Sequence, residues 1–121
     1  INLRVTAYNN RGVCRNEIGE YYKAISDLYV ALEMNPRYIV SYINLGESKT
    51  LIGDYNSAIQ DLNYALELNP NSKEAFANRR WCESRRKRRR RHRPRRPRRL
   101  ALLDDHQRRR GRNLSARGKR P

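Results

Sequence analysis

Apolar residues recur along this chain in a helical rhythm that repeats itself. Tyr21, Ala24, Ile25, Leu28, Ala31 and Leu32 fall at i, i+3, i+4, i+7, i+10 and i+11, and Tyr55, Ala58, Ile59, Leu62, Ala65 and Leu66 repeat the series 34 residues later. That spacing lays one apolar stripe along a helix. Ahead of each run stands a glycine followed by an acid, Gly19-Glu20 and Gly53-Asp54. Glycine frees the backbone for a tight turn, and a carboxylate suits the positive end of a helix. Asn35-Pro36 and Asn69-Pro70 follow the runs. A residue before proline is steered out of the helical region, so a helix ends at each asparagine.

An upstream helix is predicted before each of these, over about Val5–Ile18 and Ile39–Ile52. Gly12 and Gly46 lie in the middle of them, where glycine costs about 1 kcal/mol against alanine. The small Ala24 and Ala58 offer a reason, since helices that cross closely need positions without bulk. With Val5–Tyr38 set against Ile39–Ser72, 15 of 34 positions are identical. The chain is therefore built on helix-turn-helix units. A single unit of this kind cannot bury its own apolar face, so such units stack.

The combination resembles the tetratricopeptide repeat. The residues that carry it are Tyr8/Tyr42 at repeat position 4, Gly12/Gly46 at 8, Ala24/Ala58 at 20, Ala31/Ala65 at 27 and Pro36/Pro70 at 32. It covers residues 5–38 and 39–72 and starts again at Lys73. Arg11 at position 7, with Arg15 and Lys49 at position 11, depart from the family pattern. The resemblance implies an all-α fold, a right-handed superhelical stack of helix-turn-helix repeats (an α-solenoid). It implies a scaffold that binds a peptide or helix of a protein partner on its concave face, with no enzyme activity and no cofactor. In the family that groove is lined by first-helix positions 2, 5, 9 and 12. Here those are Thr6, Asn9, Val13 and Asn16, then Val40, Ile43, Glu47 and Thr50. The alternative is that this surface is only the inner face of a short array whose ligand site lies in further repeats. Some members clamp a C-terminal carboxylate with lysine and asparagine. Of that pattern only Asn44 at position 6 matches, so that ligand is not expected.

The third unit opens and then changes character. Phe76 takes position 4, but position 8 is Arg80, and positions 7 and 11 are Arg79 and Glu83. A partial unit over 73–84 is expected to cap the stack with Ala75 and Phe76. Two and a half units fall short of the roughly three a stable stack needs, which predicts marginal stability. Residues 85–99 hold 12 basic side chains in 15, interrupted by Pro94 and Pro97. Such a run repels itself and buries no core, so residues 85–121 are expected to form a disordered basic tail.

Charge sharpens the division. Residues 1–78 carry 7 Lys/Arg and 9 Asp/Glu, whereas residues 79–121 carry 21 and 3, so the whole net charge of +16 belongs to the C-terminal third. Arg85, Arg86, Lys87, Arg88, Arg89, Arg90 and Arg91 suit a nucleic-acid backbone, bound without sequence choice by counterion release. Two other readings stand beside that one. The tail is a solvated arm, or it is the non-native product of a slipped reading frame in a longer repeat protein, since acidic codons read one base late give Arg and Lys. The opening Ile1 reads as a fragment or a processed product.

The remaining chemistry is sparse. Cys14 and Cys82 both occupy position 10, 68 residues apart, and are expected to pack rather than pair. Two cysteines and no apolar run of transmembrane length favour a reducing, cytoplasmic setting, or a nuclear one if the basic run acts as an address. His92 and His106 have no metal-ligand spacing. Asp104 and Asp105 adjoin the short apolar stretch Leu100–Leu103, and Asn113-Leu114-Ser115 fits a glycosylation acceptor only in a secreted chain. Asp27 and Asp61 recur at one repeat position and read as structural or solvated. No phosphate loop, nucleophile elbow or small-molecule site is evident.

Overall fold

The chain folds as consecutive helices, α1 (Leu3–Glu17), α2 (Tyr21–Met34), α3 (Ile39–Leu51), α4 (Tyr55–Leu68) and α5 (Lys73–Arg91). The computed structural model describes residues 3–91, and among these there is no strand. The chain divides into two units, residues 1–90 and 91–121, and the described residues are, Arg91 apart, those of the first. Helices α1 and α2 pack together, as do α3 and α4; α2 packs on α3, and α1 touches α3. This is an all-α repeat stack, as the spacing predicts.

The turns follow from single residues. Gly19 and Gly53 take φ of +84° and +83°, a left-handed backbone that costs other residues about 1–2 kcal/mol. Glu20 and Asp54 cap α2 and α4 by position only, without a side-chain bond to the helix. The Asn35 and Asn69 carboxamides accept from the N–H of Arg37 and Asn71 at 3.2 and 3.1 Å, closing the turns between units. Ser72 accepts from the Ala75 N–H at 3.2 Å and so starts α5.

The mid-helix glycines have a more specific reason than the one expected. A Cβ on Gly12 would lie 2.9 Å from Leu28 Cγ and 3.2 Å from the Ala24 carbonyl, and one on Gly46 would lie 2.5 Å from Leu62 Cγ. The close neighbour is thus the leucine one turn beyond the small alanine. Leu28 and Leu62 are fully buried.

The core runs between units as well as within them. Leu45 of α3 joins Leu28 and Leu32 of α2, with Ile25, Tyr38 and Tyr42 against them. Ala75 of α5 packs with Ile43 and Ala65, and Cys82 packs with Ala58 and Leu62. Helix α5 therefore caps the second unit, but it runs to Arg91 and does not stop near residue 84. The basic residues expected to be disordered from 85 onward are helical as far as 91. Contacts with the second unit offset their mutual repulsion. Arg86 donates to Asn56 Oδ1 at 3.2 Å, and Arg89 donates to the Gly53 carbonyl at 2.9 Å and lies over the Tyr55 ring. Pro94 and Pro97 lie outside the described residues. The rest of the expected tail, residues 92–121 with His92 and His106, lies outside the described residues.

The departures from the repeat pattern pair with the recurring aspartates. Asp27 is buried and held by Arg11 through Nε and Nη2 at 2.8 and 2.7 Å, and by Arg15 Nη1 at 2.9 Å. In the second unit Lys49 meets Asp61 at 2.6 Å and donates to Tyr29 and Ser57 at 2.7 and 2.8 Å. Burial lowers the Lys49 ammonium, but its bonds to Asp61 and Tyr29 outweigh that and raise it above its ordinary value. Basic residues at positions 7 and 11 thus exchange an apolar contact for an ion pair to position 23. Because Tyr29 belongs to the first unit, the second pair also ties the two units together.

Candidate partner-binding surface

The first helices of successive units, α1, α3 and α5, place equivalent residues side by side, and their exposure separates two duties. Positions 5 and 12 are joints. Asn9 is buried and accepts from Ser41 Oγ at 2.9 Å and Asn44 Nδ2 at 3.0 Å. Asn16 is buried and accepts from Ser48 Oγ at 2.7 Å. Both serines come from the next unit, at positions 3 and 10. In the following joint the same positions carry Ile43 and Thr50 opposite Ala75 and Cys82. Ile43 packs on Ala75. Thr50 turns its hydroxyl to the Gly46 carbonyl at 2.6 Å and is fully buried. One joint is polar and the next apolar, at identical positions.

Four of the eight residues that the resemblance assigns to the groove, Asn9, Asn16, Ile43 and Thr50, are therefore interior. A partner cannot reach them while the stack is intact, because each next unit covers positions 5 and 12 of the unit before. Thr6, Val13, Val40 and Glu47, at positions 2 and 9, stay partly or fully accessible. Val40 is 41% exposed, which is high for an apolar side chain on a packed helix.

Glu47 carries the face's electrostatics. Burial raises its carboxyl above the usual range, and the nearby charges of Glu17 and Glu74 raise it further. Glu74 and Trp81 occupy positions 2 and 9 of the third unit. Sequence reading passed over both, although the 34-residue register carries straight onto them.

Position 10 shows the same logic from the other side. Cys82 is fully buried, and its thiol, pushed up by burial, donates to the Tyr55 carbonyl at 3.5 Å. Cys14 is exposed, contrary to the expectation that both would pack. Position 10 faces the preceding unit, and among the described residues none lies against α1 on that side. Both thiols are free.

The basic residues of α5 split into two sets. Arg79, Arg86 and Arg89 reach across to Asn63, Asn56 and Gly53. Arg80 lies over Phe76, and Arg85 lies 5.3 Å from the centre of the Trp81 ring. Arg85, Lys87, Arg88, Arg90 and Arg91 are all exposed. Among the described residues there is no helix long and apolar enough to cross a membrane.

Residues 39–72 match the family model of the tetratricopeptide repeat. The match spans the second unit from end to end. No curated protein matches the chain.

Proposed function

We propose that this chain, a member of the tetratricopeptide-repeat family, acts as a protein-interaction module that works by binding and not by catalysis. A protein-interaction scaffold is the general role the family supports. The finer reading is that a partner's peptide or helix lies along the first-helix face and meets Thr6, Val13, Val40 and Glu47. The observation that carries it is the division of labour on α1 and α3. Positions 5 and 12 are used up in joints, whereas Val40 at position 2 keeps 41% of its surface open. An apolar side chain of the partner would gain from covering Val13 and Val40, at roughly 25 cal/mol per Å2 of apolar surface. A cation of the partner would relieve the crowding of Glu47 by Glu17 and Glu74.

The test begins with peptides selected on the full chain from a displayed random library. Selection in high salt screens the basic residues. Val13→Asp with Val40→Asp should abolish binding of the selected peptides. Asn16→Thr with Ser48→Cys, which alters only a joint, should leave it intact. Peptides that bind the Val13/Val40 variant as well as the parent chain would place the site elsewhere.

A further inference from the structure

Helices α1 and α5 carry the same stripe. Ala7, Asn10, Arg11 and Cys14 fall at i, i+3, i+4 and i+7, and Ala75, Asn78, Arg79 and Cys82 repeat them two units later. That spacing keeps the residues on one side of a helix. Helix α3 does not share the stripe, since the same positions there are Ser41, Asn44, Leu45 and Ser48. In α5 the stripe is seated on the second unit. Ala75 and Cys82 are fully buried, the first against Ile43 and Ala65, the second against Ala58 and Leu62. Arg79 Nη1 donates to Asn63 Oδ1 at 2.8 Å, and the Cys82 thiol donates to the Tyr55 carbonyl. In α1 the same residues, Ala7, Asn10, Arg11 and Cys14, are all exposed. Leu3 and Ile18 extend that side of α1 in both directions and keep 77% and 70% of their surface open.

We propose that this open side of α1 is a joint whose occupant is the second unit of another copy of the chain, which takes α1 in the seat that α5 fills in its own chain. The side chains of α1 suit that seat. Arg11 holds Asp27 through Nε and Nη2, whereas the bond from Arg79 to the seat is made by Nη1. The seat on the first unit does not fit, because Asn9 and Asn16 take hydroxyl donors, and Ala7 carries none and Cys14 only a weak thiol donor. The seat on the second unit is also the easier to open. One helix fills it, not a helix pair, and like charges three and four residues apart along 85–91 repel. What holds α5 there beyond the shared stripe is Arg86 on Asn56 and Arg89 on Gly53. Helix α1 has Ile18 in place of Arg86, so those anchors are what the exchange must overcome. The contact is head to tail, and such contacts extend from pair to chain. It uses positions 3, 6, 7 and 10 of α1, and so does not rest on the reading of positions 2 and 9 as a peptide surface.

Light scattering on the full chain after size exclusion reads the exchange, in a thiol reductant so that no Cys14 disulfide forms. Its tether keeps α5 over the seat at an effective concentration on the order of millimolar, so the parent should run as single chains at micromolar concentration. Arg86→Ala/Arg89→Ala cuts the anchors and should raise the average mass from one chain to two or more, increasingly with concentration. Adding Ala7→Gln/Cys14→Gln, at exposed positions, should return the mass to one chain with the far-UV helix signal kept. Ser26→Gln is the matching control. It places in α2 the residue that stands at the same position of the second unit, Gln60, which stays exposed between its neighbours, and it should leave the association of the anchor variant unchanged. Mixing tests polarity. The variant with all four changes keeps a loosened seat and a blocked α1, and the parent keeps an open α1, so together they should form pairs and nothing larger. An anchor variant that stays single at every concentration overturns the joint. So does association that survives the two glutamines, which would run through another surface, and so does a mixture that forms no pairs.

Discussion

Ser48→Cys should loosen the first joint, and Asn16→Thr should repair much of the damage. Ser48 is fully buried, and its hydroxyl donates to Asn16 Oδ1 at 2.7 Å. A thiol is a poor donor, so the substitution leaves a buried amide oxygen unmatched. That costs about 1–3 kcal/mol. Asn16→Thr alone should cost less, because Ser48 keeps a second acceptor in the Asn44 carbonyl at 3.0 Å. Together the two changes install the pair that the second joint uses at the same positions, Thr50 and Cys82. The new threonine would turn to the Gly12 carbonyl, as Thr50 turns to Gly46. The double variant should therefore be more stable than the sum of the single losses predicts, by about 0.5–3 kcal/mol, the usual range for residues in direct contact. Thermal and urea melts of the full chain, followed by far-UV circular dichroism, measure the cycle. In a helical body of this size 1 kcal/mol moves Tm by about 4–8 °C. A Ser48→Cys melt that overlays the parent's, or costs that simply add, would refute the joint as described.

Gly46→Ala should destabilise the stack although alanine is the better helix former. A Cβ 2.5 Å from Leu62 Cγ forces the whole leucine to move, and overpacking of about 1–3 kcal/mol outweighs the roughly 1 kcal/mol gained in helix propensity. In a Leu62→Ala background the same change should become stabilising, and a loss of equal size in both backgrounds contradicts the packing account. Glu47→Gln should raise Tm at neutral pH. The folded chain holds the Glu47 proton more tightly than the unfolded chain does, so Glu47 favours folding while protonated and loses that advantage as pH rises through its raised value. The gap between parent and variant should close below the ordinary carboxylate range, and a Tm difference that stays constant with pH would count against it.

Much of the fold was legible because its signals are local and occur twice. The 34-residue period, the glycine turns and the Asn-Pro stops place four helices within a residue or two at most ends. The site was half legible. Register alone puts positions 2, 5, 9 and 12 on one side of a helix, but it does not say which of them the next unit covers. The signal was present in the pairs Asn9/Ser41 and Asn16/Ser48, which change together to Ile43/Ala75 and Thr50/Cys82 one unit later. The end of α5 was missed for a different reason. Local charge repulsion alone opposes a helix there, whereas the anchors that offset it, Asn56, Gly53 and Tyr55, lie some 30 residues earlier in the chain.

The joints also explain how a repeat protein keeps its units in order while leaving room for partner choice. Tyr8, Gly12, Ala24 and Pro36 recur in the second unit, so they build a unit whatever its neighbour. Order comes from the positions that differ. Asn9 and Asn16 need hydroxyl donors at positions 3 and 10 of the next unit, and Ser41 and Ser48 supply them. Set against Ala75 and Cys82 instead, both buried amides would lose those donors, and Asn16, whose oxygen has no second donor, would lose about 1–3 kcal/mol, whereas Asn9 could keep a partner at position 6, where Asn78 stands in the third unit. Ile43 set against Ser41 would leave a buried hydroxyl facing a methyl group. A misordered stack is thus penalised at both joints. Positions 2 and 9 carry no such duty in the first two units, so substitutions there should cost little stability, and under the proposed reading they are the ones that alter binding. At positions 5 and 12 the balance reverses, because a side chain that holds two units together is closed to a third molecule.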